Sequence, residues 1–563
     1  MTDSTKDWTI MVYMAGDNNL SENMAFSLED FSNFGTDLRR GEGDKINLLA
    51  FFDGNSLTAP THYIDYSDGK TLKHPIEEKD LVHSNRGSRN TVQGGENSAS
   101  AYSILNFINW CINTQKRAAK NYALVFSAHS FGFHGTSFLS DGSSGDYITI
   151  FGLKWALEEA NRKYLGNQKI AVLGFDSCVM SMLEVGYELK DVAQTIVASE
   201  GSLPNSGWGY APMLRKLVST LSRNNQKGTV DYVKEAAKSF VEGFIERQKK
   251  YAIGGRSVDI AAWNLDEIEP LAQSLNELAV ELLNRLNLPR LKKEKRLTEK
   301  DVFVYEQLKK SILQSHMDCQ TYMYEQCVDL KDFCERLLLE CKCLEEQMRL
   351  VNYDAPSFSV IGEKCGNVIE ALGRCVLKSG FCGDEYQFSN GISLYFPWTA
   401  LAYSSTHFRY RYLSFIKGTV DRETEKETDE TAGGAGKSWD EFLYFYLFVV
   451  TMRRTRNNPQ KFQEFFNELV ESPLSKDNWS LGTRDNWSLM TRDNWSLGTK
   501  DNWSLGTRDN WSLGTRGEFA ALLSSFGRFK NYQLDWEISG FSDAQTFDEE
   551  DLRCKYFELL KEE

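Results

Sequence analysis

The sequence predicts an α/β fold: a mostly parallel sheet flanked by helices, with a helical insertion and a C-terminal extension. Three observations carry this expectation. Short runs rich in β-branched and aromatic residues alternate with helix-like stretches through the first half of the chain, which implies parallel crossovers and a sheet covered on both faces. Each run ends in a polar or glycine-containing turn. From about residue 213 the pattern changes to long, charged, amphipathic segments.

The strand runs are WTIMVYMAG (8–16), INLLAFFD (46–53), YALVFSAHS (122–130) and KIAVLGFD (169–176). Helical patterning fills 97–116, which ends in FINWCINTQ, and 152–164, which contains LKWALEEANRK. A mainly helical region is expected over 213–385, with amphipathic segments around 227–250, 264–287 and 302–350. Residues 386–417 read as a return strand and packing segment of the core, because GISLYFPW (391–398) regains strand character and stops at Pro397. Residues 418–437 are charged and almost free of large apolar groups, the composition of a linker. A helical C-terminal segment (438–476) opens with SWDEFLYFYLFVVTMRR, apolar enough to dock on the body. Residues 477–516 hold five tandem copies of DNWSLGTR, with Met490 and Lys500 the only departures. Such units are far shorter than the roughly 20 or more residues of a solenoid repeat, so a disordered surface loop is expected, followed by a C-terminal extension (517–563). Each copy contains Asn-Trp-Ser, formally a glycosylation acceptor.

At 563 residues the chain exceeds one ordinary core, and two or three domains are expected. A formal net charge of -15 sets a nucleic-acid partner aside. The N-terminus lacks a basic stretch leading into an apolar one, and no run of about 18 apolar residues occurs. No membrane span and a cytoplasmic location are therefore expected. Eight of the eleven cysteines fall between Cys319 and Cys382 without paired Cys-x-x-Cys spacing, so no zinc site is expected. Cys327, Cys334 and Cys341 recur every seven residues on a helical pattern and read as small buried apolar groups in a reducing compartment.

Ligands in such sheets gather beyond the carboxyl ends of the strands. Three strands deliver polar residues there: Asp17-Asn18-Asn19, His129-Ser130 and Asp176-Ser177-Cys178. In FDSCVMSMLEVGYEL (175–189) an apolar strand runs into Cys178 and then into a helical pattern. Cys178 is thus expected at or next to a helix N-terminus, where unpaired N–H groups and the dipole stabilise a thiolate. The same groups can bind the oxyanion formed when that thiolate attacks a carbonyl. A plain core cysteine is the alternative. His129 follows a strand expected to neighbour the one ending at Asp176, and a thiol nucleophile needs such a base. A hydrogen-bonded loop histidine is the alternative there. No Gly-x-Ser-x-Gly elbow and no phosphate-binding glycine loop follows any strand, which sets aside serine hydrolases and nucleotide enzymes.

WTIMVYMAGDNNL, YALVFSAHS, GFDSCVMSMLEVGYEL, VASEGSLPNSGWGY, NGISLYFPW and SWDEFL, in that order, resemble the clostripain family of cysteine peptidases. The resemblance covers about 8–220 well and 385–445 more thinly. It implies a caspase-like catalytic domain over 1–212, a Cys178–His129 dyad working through a thioester, and cleavage of protein or peptide substrates after Arg or Lys. It implies an oxyanion hole from the backbone at Ser130 and Cys178, and a P1 pocket lined by Asp176. A guanidinium or ammonium entering a desolvated pocket does need a paired carboxylate; the alternative for Asp176 is a helix N-cap. Asp17 and Asn18 match an early family motif at the same rim.

Departures accompany the likeness. The family's Gly after the histidine is Ser130 here; Ser keeps the N–H, but a glycine-only backbone conformation would distort the hole. His134-Gly135 offers a second His-Gly pair, ranked below His129. Gly209 stands where some relatives carry a second acid. The loop 136–147 holds no Lys or Arg, the first basic residue being Lys154, so self-processing there is not expected. Calcium enters only through the resemblance, with no ligand pattern in the sequence. The competing reading is a catalytically inactive scaffold or binding protein of the same family.

Overall fold

The computed structural model describes residues 5–37, 45–55, 61–76, 81–82, 91–92, 95–134, 138–224, 231–251, 257–286, 299–323, 326–350, 356–398, 400–417 and 436–447. The octapeptide repeat, the C-terminal extension and nearly all of the expected linker lie outside these residues.

All four expected strands form: β1 (Lys6–Gly16), β2 (Ile46–Gly54), β7 (Ala119–Ser127) and β8 (Ile170–Asp176). They join β3 (His62–Asp65), β4 (Leu72–Pro75), β9 (Ala193–Ala198), β10 (Val258–Asn264) and β13 (Val376–Cys382) in one nine-stranded sheet. Its order is β13-β10-β9-β8-β7-β1-β2-β3-β4. The five central strands run parallel, and antiparallel strands close both edges. A small hairpin, β5 (Thr91–Val92) with β6 (Gly95–Glu96), stands apart.

Side chains alternate across the sheet with period two. Met11, Tyr13 and Ala15 enter one apolar core, and Ile10, Val12 and Met14 enter the other. Both faces are covered, as a parallel sheet requires. Helices α2 (Ala101–Asn109), α3 (Ile150–Lys163), α4 (Leu183–Leu189) and α7 (Ile268–Leu286) cover the first face. Helices α1 (Ser21–Asp37), α5 (Tyr210–Asn224) and α6 (Tyr232–Tyr251) line the second. Side-chain caps fix two helix starts: Ser100 accepts from the Tyr102 N–H and Thr149 from the Gly152 N–H.

Residues 213–385 hold long helices and also supply β10 and β13 to the main sheet. The amphipathic stretch read as 302–350 is two helices, Glu299–Asp318 and Leu330–Leu350. Between them β11 (Thr321–Tyr322) and β12 (Cys327–Asp329) pair with β14 (Ser393–Tyr395) in a second sheet. Of the three cysteines spaced by seven, Cys327 therefore sits on a strand, while Cys334 and Cys341 share a helix. Of the ten described cysteines, seven are buried. Trp439, Phe442 and Leu443 of the helix Lys437–Phe445 bury themselves on the body. Among the described residues no helix is long and apolar enough to cross a membrane.

Candidate active site

The chain leaves β1 for β2 on one side, while β7, β8 and β9 build outward on the other. The strand order reverses between β1 and β7, where an open sheet forms its crevice beyond the strand ends. Ser127 and Asp176, the last residues of β7 and β8, are register partners. His129 and Cys178 each follow two residues later, so adjacent parallel strands carry them to one rim. Both line a single small cleft, together with Asp176, Leu203, Asn205 and Gly207.

Cys178 is partly exposed, at the mouth of the cleft. It does not open a helix: α4 begins at Leu183, after an extended N-cap residue, Met182, that pairs with Ser393. Val179 takes a positive φ of 56° and turns the chain between strand and helix. The helix-dipole expectation for the nucleophile is corrected accordingly. The amide that reaches the sulfur comes instead from Leu203, whose N–H donates to Sγ at 3.3 Å. That donor brings partial positive charge to a thiolate much as a helix terminus does.

His129 is buried, and its Nε2 lies 2.6 Å from Asn19 Oδ1. An amide oxygen only accepts, so Nε2 carries the proton and Nδ1 is the basic nitrogen of the neutral ring. Burial pushes the imidazole down to about 4, which keeps it neutral in the neutral pH range. His134 lies elsewhere. It is buried against Phe133 and Tyr395, its carbonyl accepts from Arg409, and burial holds its ring at about 3. The structure brings His129, not His134, to the cleft.

Ser130 is buried, and φ is not positive there. The position does not demand a glycine-only conformation. Its hydroxyl donates toward Met180 Sδ at 2.7 Å and accepts from the Gly132 N–H at 3.2 Å.

Asp176 is no helix cap, since α4 starts seven residues later. Its Oδ2 accepts from Ser127 Oγ at 3.0 Å and Tyr210 OH at 2.8 Å. Burial raises the carboxyl above its usual range, and the hydrogen bonds from Tyr210, Ser127 and the Trp208 backbone oppose that rise. Gly207 closes over it with φ +60°; a Cβ there would stand 2.7 Å from Oδ2. Gly209 also has a positive φ, and the Arg247 side chain lies where a side chain at 209 would project, 2.2 Å from an ideal Cβ to Cζ. Arg247 Nη1 donates to the Gly207 carbonyl at 3.3 Å. A cation thus borders the Asp176 end of the cleft.

Sequence reasoning placed Asn19 only within a rim motif and missed its contact with His129. It also missed Tyr210 and Ser127 as the holders of Asp176. The sole local signal was Ser127's place at the end of the strand before His129.

A sequence model described as the clostripain family matches residues 12–404. A search of curated proteins finds no match. Among solved structures, the chain is similar to a secreted C11 cysteine protease from Bacteroides thetaiotaomicron in complex with an irreversible peptide inhibitor. That pair shares 17% identity with a TM-score of 0.46, over 73% of this chain and 97% of the other. An inactive zymogen C11 protease from Parabacteroides distasonis is similar at 17% identity and a TM-score of 0.45, over 73% and 98% of the two chains.

Proposed function

This chain belongs to the clostripain family and is a cysteine-type peptidase, and on that premise we propose that it is an endopeptidase cleaving after Arg or Lys, with Cys178 as nucleophile and His129 as base. The observation that carries the reading is the convergence of Cys178, His129 and the Asp176 carboxylate on one cleft. Substrate binds with its P1 side chain toward Asp176. His129 Nδ1 takes the thiol proton as Sγ attacks the scissile carbonyl carbon, giving a tetrahedral oxyanion that backbone N–H groups at Ser130 and Cys178 stabilise. Collapse breaks the C–N bond, and His129 returns the proton to the leaving amine, leaving a thioester. Water then attacks the thioester with His129 as base, which releases the carboxylate product and restores the thiol.

The electrostatics of the pocket favour a basic P1 residue. A buried carboxylate raised by desolvation gains most from a cation that replaces lost solvation. Protein or peptide substrates with a basic P1 are the partners this reading names. The buried cysteines, Cys327, Cys334 and Cys341 among them, fit a reducing compartment such as the cytoplasm.

Turnover of Arg-, Lys- and norleucine-ended fluorogenic peptides by wild type and Cys178→Ala tests the proposal. Wild type is expected to cleave the first two, and the variant neither. An Arg-directed chloromethyl ketone is expected to add to Cys178 by mass spectrometry. Equal turnover by both proteins refutes the nucleophile; a folded wild type that neither turns over nor labels is the inactive scaffold.

A further inference from the structure

The stretch VASEGSLP places an acid, Glu200, two residues beyond β9 in a run that is otherwise apolar or small. It meets two further carboxyls, Asp259 on β10 and Asp329 at the end of β12. All three are buried, with 0%, 1% and 0% of their surface exposed, and the peptidase reading gives none of them a role. Asp329 Oδ2 accepts from the Asn390 N–H at 2.5 Å, and Glu200 Oε2 accepts from the next amide, Gly391, at 2.7 Å. Consecutive amides thus bring these two side chains face to face.

Their hydrogen bonds leave one gap. Asp259 accepts from the Glu200 and Gly201 N–H groups at 2.7 and 2.9 Å. Asp329 Oδ1 accepts from the Asp332 N–H at 2.7 Å and from Asn390 Nδ2 at 3.1 Å. Glu200 Oε1, sealed from solvent, receives no donor. Three ionised carboxyls in one dry cluster are costly unless a positive charge joins them. Lys331 and Arg336, on the helix after β12, pair with Glu335 and Asp332 instead, and among the described residues no Lys or Arg pairs with the three. The other titratable neighbours are Tyr322 on β11 and Tyr386, both pushed up by burial and so neutral. The Tyr322 hydroxyl meets Ser389 Oγ, and Tyr386 OH accepts from the Ser202 N–H. A proton on Glu200 Oε1 answers the whole arrangement: it removes one charge and turns the orphan oxygen into a donor toward Asp329. Burial and the charges of Asp329 and Asp259 act in the same direction, holding the Glu200 carboxyl well above its usual range.

Glu200 also sits in the backbone that reaches the sulfur. Leu203, three residues on, donates its N–H to Cys178 Sγ at 3.3 Å. The circuit closes on the segment after Cys178, where Ser181 Oγ donates to the Gly391 carbonyl at 2.6 Å and the Ser181 N–H to the Ser199 carbonyl at 2.9 Å. We propose that Glu200 is a positioning residue for the nucleophile: it holds a proton that bridges to Asp329, and this bridge clamps the loop 199–203 so that the Leu203 amide meets Cys178 Sγ. Glu200 acts through Leu203 and Gly391, away from the substrate. Its consequence for turnover rests on the peptidase reading.

The test uses the full chain and reads the thiol directly, through the pH dependence of Cys178 alkylation by iodoacetamide, with turnover and thermal melts alongside. Glu200→Met keeps the length of the side chain and removes both the bridge and the acceptor for Gly391. Its alkylation midpoint is expected to move up in pH, and its rate at neutral pH to fall roughly 10-fold, because the thiolate loses a charge-assisted donor. Glu200→Gln keeps an acceptor for Gly391 and supplies an N–H toward Asp329, so its profile and turnover should stay within about 2-fold of wild type. Infrared difference spectra of wild type minus Glu200→Gln should show the carbonyl stretch of a protonated carboxyl at neutral pH, a reading that does not need the methionine variant to fold. A folded Glu200→Met that alkylates as wild type does overturns the proposal. So does a Glu200→Gln that loses as much as Glu200→Met, or a difference spectrum without that band. Iodoacetamide reads the thiol whether or not the chain cleaves peptides, so these failures are distinct from failure of the peptidase reading, which shows as a wild type with neither turnover nor chloromethyl ketone labelling.

Discussion

Replacing Asp176 with asparagine exchanges one oxygen for an NH2 group in a pocket that otherwise stays the same shape. In the native site Oδ2 receives the Ser127 and Tyr210 hydroxyls, which the amide oxygen of asparagine can keep, and the Trp208 N–H also donates to the carboxylate. Losing at most that third bond should cost about 1–3 kcal/mol. Because burial raises this carboxyl in the folded chain above its ordinary value of 3.8, the ionised group costs stability at any pH above that value, and the neutral amide removes the cost. Catalysis should behave differently. Leaving a buried P1 cation without its partner costs about 3–5 kcal/mol, or roughly 100- to 4,000-fold in kcat/KM at 1.4 kcal/mol per decade. The assay compares Arg, Lys, citrulline and norleucine at P1 with wild type and Asp176→Asn, alongside thermal melts and the rate of Cys178 alkylation. The Arg and Lys substrates should fall by that factor, norleucine and citrulline should change little, and alkylation should be unaffected. An equal loss on all four substrates would make Asp176 a support for the strand end, and the specificity reasoning would fail.

With His129 held at about 4 by burial, the acid limb of kcat/KM should lie near pH 4; a limb near 6.5 in wild type would put the base elsewhere. In stability, the unfolded histidine takes its proton near 6.5 and the folded one near 4. The native advantage is thus full above pH 6.5, shrinks as pH falls to about 4 and levels off below, about 3 kcal/mol in all at 1.36 kcal/mol per pH unit. Urea melts of wild type and His129→Gln at pH 7.5 and 4.5 should show the variant lacking most of that slope. Asn19→Ala should lower kcat roughly 10- to 100-fold with little change in KM, since it loosens the base without touching substrate. Asn19→Asp, which keeps an acceptor for Nε2–H, should recover part of the loss; equal loss in both variants counts against a positioning role. Gly209→Ala should lower the melting point through its positive φ, about 1–2 kcal/mol, and through overlap with Arg247. Adding Arg247→Ala should recover the overlap but not the φ cost, and melts that add within ~0.3 kcal/mol would show no coupling.

What could be read from the sequence was what burial writes locally. β1, β2, β7 and β8 are covered on both faces, so each appears as a continuous apolar run, and the polar residues after them mark the crevice. The edge strand β13 has a half-exposed VLKSGFC pattern and is nearly silent by the same logic. The start of α4 was misplaced for a different reason. Val179, Met182, Leu183 and Val185 look helical by spacing, but Met182 is drawn into a bridge with Ser393, a tertiary pairing that overrides local propensity. Asn19 against His129, and Glu200 beside Asp259 and Asp329, are equally products of topology. Each residue is ordinary where it stands in the chain, and only the crossovers make them neighbours.

The same topology binds Cys178 to the second half of the chain. Leu203, which donates to Cys178 Sγ, belongs to a loop held from both halves of the chain: the Gly201 carbonyl accepts from the Val179 N–H at 3.0 Å, and further bonds come from beyond residue 213. The Glu200 and Gly201 N–H groups donate to the Asp259 carboxylate on β10 at 2.7 and 2.9 Å, and the Ser202 N–H donates to Tyr386 OH at 3.1 Å. Glu200 itself reaches the Gly391 N–H at 2.7 Å and shares the buried acid cluster of Asp259 and Asp329. Three segments beyond residue 213 therefore fix the amide that meets the sulfur. A chain cut at 212 would keep Cys178, His129 and Asp176, yet it would lose the Asp259, Tyr386 and Gly391 bonds to the loop that closes on Cys178. If the proposed mechanism holds, in which catalytic hydrogen bonds tolerate little displacement, a chain cut at 212 should show lower turnover even with those three residues retained.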